Sequence, residues 1–130
     1  MDTQLTERTL TVGEAAERVG LTTYTLRWYE QEGLVAPVGR DTAGRRRYTE
    51  RDVDWLVLLT RLRRTGMPVR DMRRYAELAR QGDRTNAARL ALLKAHRDRV
   101  LARMAELEED LTVLNYKIGF YDGASAGCEA

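Results

Sequence analysis

The sequence is poor in the residues that catalytic and metal sites use most. Among its 130 residues there is one cysteine, Cys128, and one histidine, His96. A single thiol closes no disulfide within the chain, which fits a reducing compartment. A thiolate metal site takes at least a pair of well-placed ligands. No carboxylate cluster, glycine-rich phosphate loop or nucleophile motif is present, and a lone mid-helix histidine is far more often structural than catalytic. Neither an enzyme nor a bound metal or cofactor is expected. Long apolar runs are missing as well: none approaches the roughly 20 residues that span a bilayer. The first residues, MDTQLTERTL, lack a basic stretch followed by an apolar one, so no signal peptide is expected and the chain should be cytoplasmic. Lysine is absent from residues 40–80, where twelve arginines stand against six acids and leave a local positive surplus that the net charge of +2 hides. Arginine offers a planar fork that suits phosphate oxygens and guanine edges, although a solvated charged face has the same composition.

Local signals along the chain give mostly helices. Thr11 and Glu14 form a T-x-x-E capping box, so a helix should start at Thr11 and stop at Gly20. Thr22 is the next N-cap, with Leu21 and Leu26 placed as a hydrophobic staple, and the second helix should run from Thr23 to about Glu32 before Gly33. Helix, short glycine-containing turn, helix is the outline of a helix-turn-helix. Pro37 and Gly39 exclude a helix in the next stretch. Leu34, Val35 and Val38 are expected to begin a short strand, RRRYT its partner, and DTAG the turn between them: an arginine-loaded hairpin, or wing, that must pack on the helices to persist.

Thr49 and Asp52 mark another helix start, followed by Val53, Leu56, Val57, Leu59 and Leu62 at helical spacing. Gly66 breaks that helix and Pro68 suits the first turn of the next, which should end near Gly82. From Asn86 to about Ile118 nothing interrupts a helix. Leu93, Val100, Met104, Leu107, Leu111, Leu114 and Ile118 repeat at heptad spacing, with Arg97 the polar intruder. Such a helix is too long to pack against so small a domain over its full length, and a second copy of the chain is a simpler partner for the seam than folding back on the other helices. The domains expected are 9–82, helix-turn-helix with wing; 83–119, dimerisation helix; and 120–130, a flexible Gly/Ala-rich tail.

Nucleic acid is the partner that this pattern favours. The second helix of a helix-turn-helix enters the major groove with its N-terminal residues toward the bases, which here are Thr23, Tyr24 and Arg27, with Thr25 at the side and Leu26 inward. Arg45, Arg46 and Arg47 sit where a wing would grip the flanking backbone, and contacts of this kind should make affinity fall with salt.

Three blocks in order and spacing, TVGEAAERVGLTTYTLRWYEQEGLVAP, GRRRYTERDV and RRTGMPVRDM, resemble the MerR family of bacterial transcription regulators over about Thr11 to Arg80. The ending LNYKIGFYDG is similar to short members without a large effector domain. The resemblance implies a mainly helical, winged helix-turn-helix protein that dimerises through an antiparallel coiled coil in the bacterial cytoplasm, with the nucleoid. It implies a promoter whose −35 and −10 elements are too far apart, bent and untwisted by the dimer so that RNA polymerase can use it, in response to a signal the sequence does not name. By motif position it implies DNA contacts from Arg27 and from Arg46 of the wing. Trp28 and Tyr29 occupy the place of a Tyr-Tyr pair of which at least one touches the phosphate backbone. Arg63, with Arg64 beside it, falls where a basic residue of a second wing meets phosphate. The cysteines of metal-responsive members are absent, Trp28 stands for the more usual tyrosine, and Arg45 stands where an aromatic is common. Two other classes remain open at this level: an architectural DNA-binding protein, which would show little preference for a palindromic site, and a small-molecule-binding module using Tyr116, Phe120 and Tyr121.

Overall fold

The computed structural model describes residues 8–36 and 38–129, with side chains through residue 124; Pro37 of the predicted non-helical stretch and the Cys128 side chain lie outside these. The chain divides into two compact units, one ending at Leu90 and one beginning at Ala91.

The first unit is built from short helices with strong local start signals. Helix α1 spans Val12–Val19. Thr11 caps it: its Oγ1 accepts from the Glu14 N–H at 3.2 Å while Glu14 Oε1 accepts from the Thr11 N–H at 2.8 Å, the predicted capping box. Gly20, at φ 74°, takes the left-handed conformation that ends the helix and donates back to the Ala16 and Glu17 carbonyls. Helix α2 spans Thr23–Gln31 behind the Thr22 cap. Helix α3 spans Glu50–Arg64 behind a second capping box made by Thr49 and Asp52, and α4 spans Val69–Arg80 behind Pro68. A single 3-10 turn, Asp83–Thr85, leads into α5, Asn86–Glu129.

The wing is smaller than its sequence suggests. Only Gly39–Arg40 (β1) and Arg46–Arg47 (β2) form an antiparallel pair, with Gly39 opposite Arg47 and Arg40 opposite Arg46. Leu34 and Val35, expected in the strand, are instead buried in the core. Their apolarity serves packing rather than pairing, a distinction that hydrophobicity alone does not make. A segment the sequence did not single out completes the wing: Leu10 and Tyr48 exchange backbone hydrogen bonds of 2.8 Å in both directions.

Leu26, Tyr29, Leu34, Tyr48, Leu56, Leu59 and Met72 are the largest fully buried side chains. They come from α2, the post-α2 segment, the wing, α3 and α4, so this core fixes α2 and the wing together. Each such side chain stabilises the fold by about 1.5–3 kcal/mol. Trp55 joins the segment after α2 to both helices: its Nε1–H donates to the Leu34 carbonyl at 2.8 Å and its ring stacks on Tyr75 at 5.5 Å between centroids. Val57, counted with the apolar face of α3 by spacing, lies exposed instead.

Tyr48 gives the unit a pH signature. Burial, and then its hydrogen bond to Glu30, push the phenol above its ordinary value of 10.0. The folded state therefore holds this proton more tightly than the unfolded chain. The stabilisation is fully present below pH 10.0 and is lost as pH rises beyond it. Melting temperatures followed by circular dichroism should fall above that pH in the parent chain and fall less in Tyr48→Phe.

The second unit is the remainder of α5. The helix runs to Glu129 rather than ending near 119, so residues 120–129 of the expected flexible tail are helical. Gly119, Gly123 and Gly127 weaken it by about 1 kcal/mol each relative to alanine, but no proline stops it and alanines alternate with the glycines. Its 44 residues give a length of about 66 Å. Met104, Leu107, Leu111, Leu114 and Ile118 are each at least half exposed, whereas Leu93 and Val100 are half-buried. His96 is buried. No described helix is long and apolar enough to cross a membrane.

Candidate nucleic-acid interface

Helix α2 is held from both ends and from below. At its start, Thr22 Oγ1 accepts from the Thr25 N–H at 3.1 Å and lies 2.9 Å from the Thr25 hydroxyl, so Thr25 belongs to the cap. At its end, Arg73 and Arg80 reach from α4 to the last carbonyls: Arg73 to the Glu32 carbonyl and carboxylate, Arg80 to the Gly33 carbonyl. Cations there satisfy acceptors that the helix leaves open and complement its dipole. Leu26 and Tyr29, three positions apart, are buried on one face. The opposite face presents Tyr24, 77% exposed, and Arg27, also exposed, with Thr23 half-buried beside them.

The Trp28–Tyr29 pair divides in a definite way. Tyr29 is core. Trp28 is half-buried, its ring 5.6 Å from that of Tyr29 and inclined at 51° to it. Over its face lies the guanidinium of Arg63, with Cζ 4.7 Å from the ring centroid. This cation–π contact ties α2 to the last turn of α3, where Arg61, Arg63 and Arg64 cluster. Arg61 and Arg64 are exposed.

The three wing arginines do three different things. Arg45 is 80% exposed along its side chain and forms only a loose 3.7 Å pair with Asp41. Asp41 spends its Oδ1 on the turn, accepting from the Ala43 N–H at 2.9 Å and the Arg45 N–H at 3.0 Å. These bonds, led by that from Arg45, hold its carboxyl below the usual range. Gly44, at φ 80°, supplies the positive dihedral the turn requires. Arg46 is half-buried, its Nε 2.8 Å from Glu30 Oε2. Arg47 donates from Nε to Thr9 Oγ1 and from Nη2 to the Thr9 carbonyl, both at 3.0 Å. Its guanidinium anchors the segment that pairs with Tyr48, and Arg45 is left as the most accessible of the three.

Sequence reading missed Glu30, Glu32, Arg73 and Arg80. For the two acids the only available signal was their place in WYEQEG, just ahead of the arginine-rich stretch; for the two arginines there was none. Among the described residues no group of three or more potential metal ligands occurs.

A family model described as MerR HTH family regulatory protein matches residues 10–78, and one described as MerR, DNA binding matches residues 53–115. An uncharacterized HTH-type transcriptional regulator of Haemophilus influenzae is 45% identical over 91% of this chain and 87% of its own length. The regulator AdhR of Bacillus subtilis is 36% identical over 71% of this chain and 66% of its own. Among solved structures, HiNmlR, a MerR family regulator lacking the sensor domain and bound to promoter DNA, superposes with a TM-score of 0.83 at 44% identity, covering 92% of this chain and 94% of that one. A putative MerR family regulator from Listeria monocytogenes gives 0.82 at 34% identity, covering 87% and 86%. The chain therefore belongs to the MerR family of helix-turn-helix transcription regulators.

Proposed function

We propose that this regulator binds a pseudo-palindromic promoter site as a homodimer and bends and untwists the DNA in response to a signal. The observation that carries the DNA-binding reading is the two-faced recognition helix. Leu26 and Tyr29 lock α2 into the core while Tyr24 and Arg27 stay exposed, with no hydrogen bond or ion pair to Arg27 among the described contacts. A long, fully charged side chain left unpaired beside an exposed phenol is suited to base edges and phosphates. Thr23 flanks this face, and Trp28, Arg45, Arg46, Arg63 and Arg64 extend it with cationic and amphipathic groups. Tyr29 and Arg47 serve it from inside the fold. HiNmlR, similar over nearly the whole chain, is bound to promoter DNA, which favours the same partner here.

The dimer reading rests on the α5 seam. Five large apolar side chains at heptad spacing, each at least half exposed, are costly in water. A two-fold dimer in turn prefers a site of two-fold symmetry. Bending DNA costs about 1–6 kcal/mol by elastic estimates, offset by contacts along both halves of the protein.

Arg27→Ala should weaken binding to the DNA upstream of the chain's own gene by about 1–3 kcal/mol, with circular dichroism unchanged. Titration by fluorescence anisotropy at matched salt measures this. Unchanged affinity with an intact fold would remove Arg27 from the interface.

A further inference from the structure

Glu30 is an acid set between the recognition helix and the wing, and its two oxygens are both in use. Oε2 lies 2.8 Å from Arg46 Nε. Oε1 accepts from the Tyr48 hydroxyl at 3.0 Å. Tyr48 is fully buried and is itself held by its backbone pairing with Leu10, so one end of the relay is fixed in the core. The carboxylate is only 17% exposed and the Arg46 side chain 30%. Arg46 approaches the carboxylate through Nε, and no hydrogen bond from its terminal nitrogens occurs among the described contacts. A guanidinium gripped at Nε keeps its outer edge available for the bidentate geometry that phosphate oxygens accept.

We propose that Glu30 is a positioning residue for DNA recognition: anchored by Tyr48, it aims the Arg46 guanidinium from the wing toward a phosphate next to the recognition helix. This rests on the DNA-binding reading above and adds a residue that charge alone would exclude. A carboxylate close to a phosphate-binding surface is repulsive. If it acted only through its charge, deleting that charge would tighten binding. A positioning role reverses the sign.

Glu30→Gln separates these. The amide has one acceptor oxygen, which Tyr48 can keep, and its NH2 then faces another donor at Arg46, so the arginine is released while the fold keeps its buried hydrogen bond. Binding is measured on mixed-sequence duplex DNA and on the duplex upstream of the chain's own gene, over a series of salt concentrations. Glu30→Gln is expected to bind about tenfold more weakly although it loses a negative charge. Its log–log salt slope should be shallower by about one phosphate contact. Arg46→Ala should show the same losses, and the double variant should be no weaker than Arg46→Ala alone. Arg46→Lys, which keeps the charge and leaves Glu30 in place, should also weaken binding because an ammonium lacks the fork. A role confined to stability would lower the melting temperature of Glu30→Gln and leave affinity and slope alone, which would overturn the proposal. So would unchanged or tighter binding by Glu30→Gln, or full affinity in Arg46→Lys. Failure of the parent chain to bind either duplex would overturn the DNA-binding reading and this inference with it, a result distinct from loss confined to the variants.

Discussion

Leu107→Lys combined with Leu111→Lys should make the protein monomeric and lower its affinity for its own upstream DNA by about a hundredfold or more. Both residues sit in the middle of the exposed α5 seam, each at least half open to water. Placed at facing core positions of a helix pair, two ammonium groups from each copy would have to lose their water, and no acid on the seam is available to pair with them. The monomer would still carry an intact α2 and wing. Its second half-site contact, however, becomes an independent bimolecular event instead of an intramolecular one, which is where the lost affinity comes from. Part of α5 should also melt, because a solitary helix gains little from its own backbone. Sedimentation velocity reads the mass, anisotropy the affinity, and circular dichroism the helix loss. A variant that still sediments as a dimer would place the interface elsewhere.

The second large effect concerns the neighbouring aromatics of α2. Tyr29→Ala should destabilise the first unit by about 3–5 kcal/mol, since it opens a cavity under a ring that is only 1% exposed. Against a total stability of about 5–15 kcal/mol, much of the chain would be unfolded at moderate temperature. Trp28→Ala removes a half-buried ring and the seat of Arg63. It should cost only about 1–2 kcal/mol in stability while lowering DNA affinity in the folded protein. Urea titration and anisotropy, run on both variants, distinguish a core residue from an interface residue. Equal stability losses would contradict the division of labour read from their burial.

How much of this was legible in the sequence follows from the range of the interactions. The capping boxes at Thr11 and Thr49 and the Thr22 cap are made by residues three apart, and each helix starts where those pairs place it. Glycine stops at Gly20 and Gly33 were readable for the same local reason. Arg47 on Thr9, Arg46 on Glu30 and Trp55 on the Leu34 carbonyl join residues far apart in sequence. No pattern in RRRYT says which arginine is anchored on Thr9, which lies against Glu30 and which is most exposed. Leu34 and Val35 read equally well as strand or core, and only the packed α3 and α4 decide. The extension of α5 past residue 119 is hidden because the tail's glycines read as breakers, whereas no proline stops the helix and glycine content alone does not end one.

The most direct test of a two-fold DNA-binding dimer is a footprint of the full chain on the DNA upstream of its own gene. One bounded protected region with two-fold-related halves, saturating at two chains per site, is the expected result. Protection spread along the fragment without preference, or saturation at one chain per site, would contradict it.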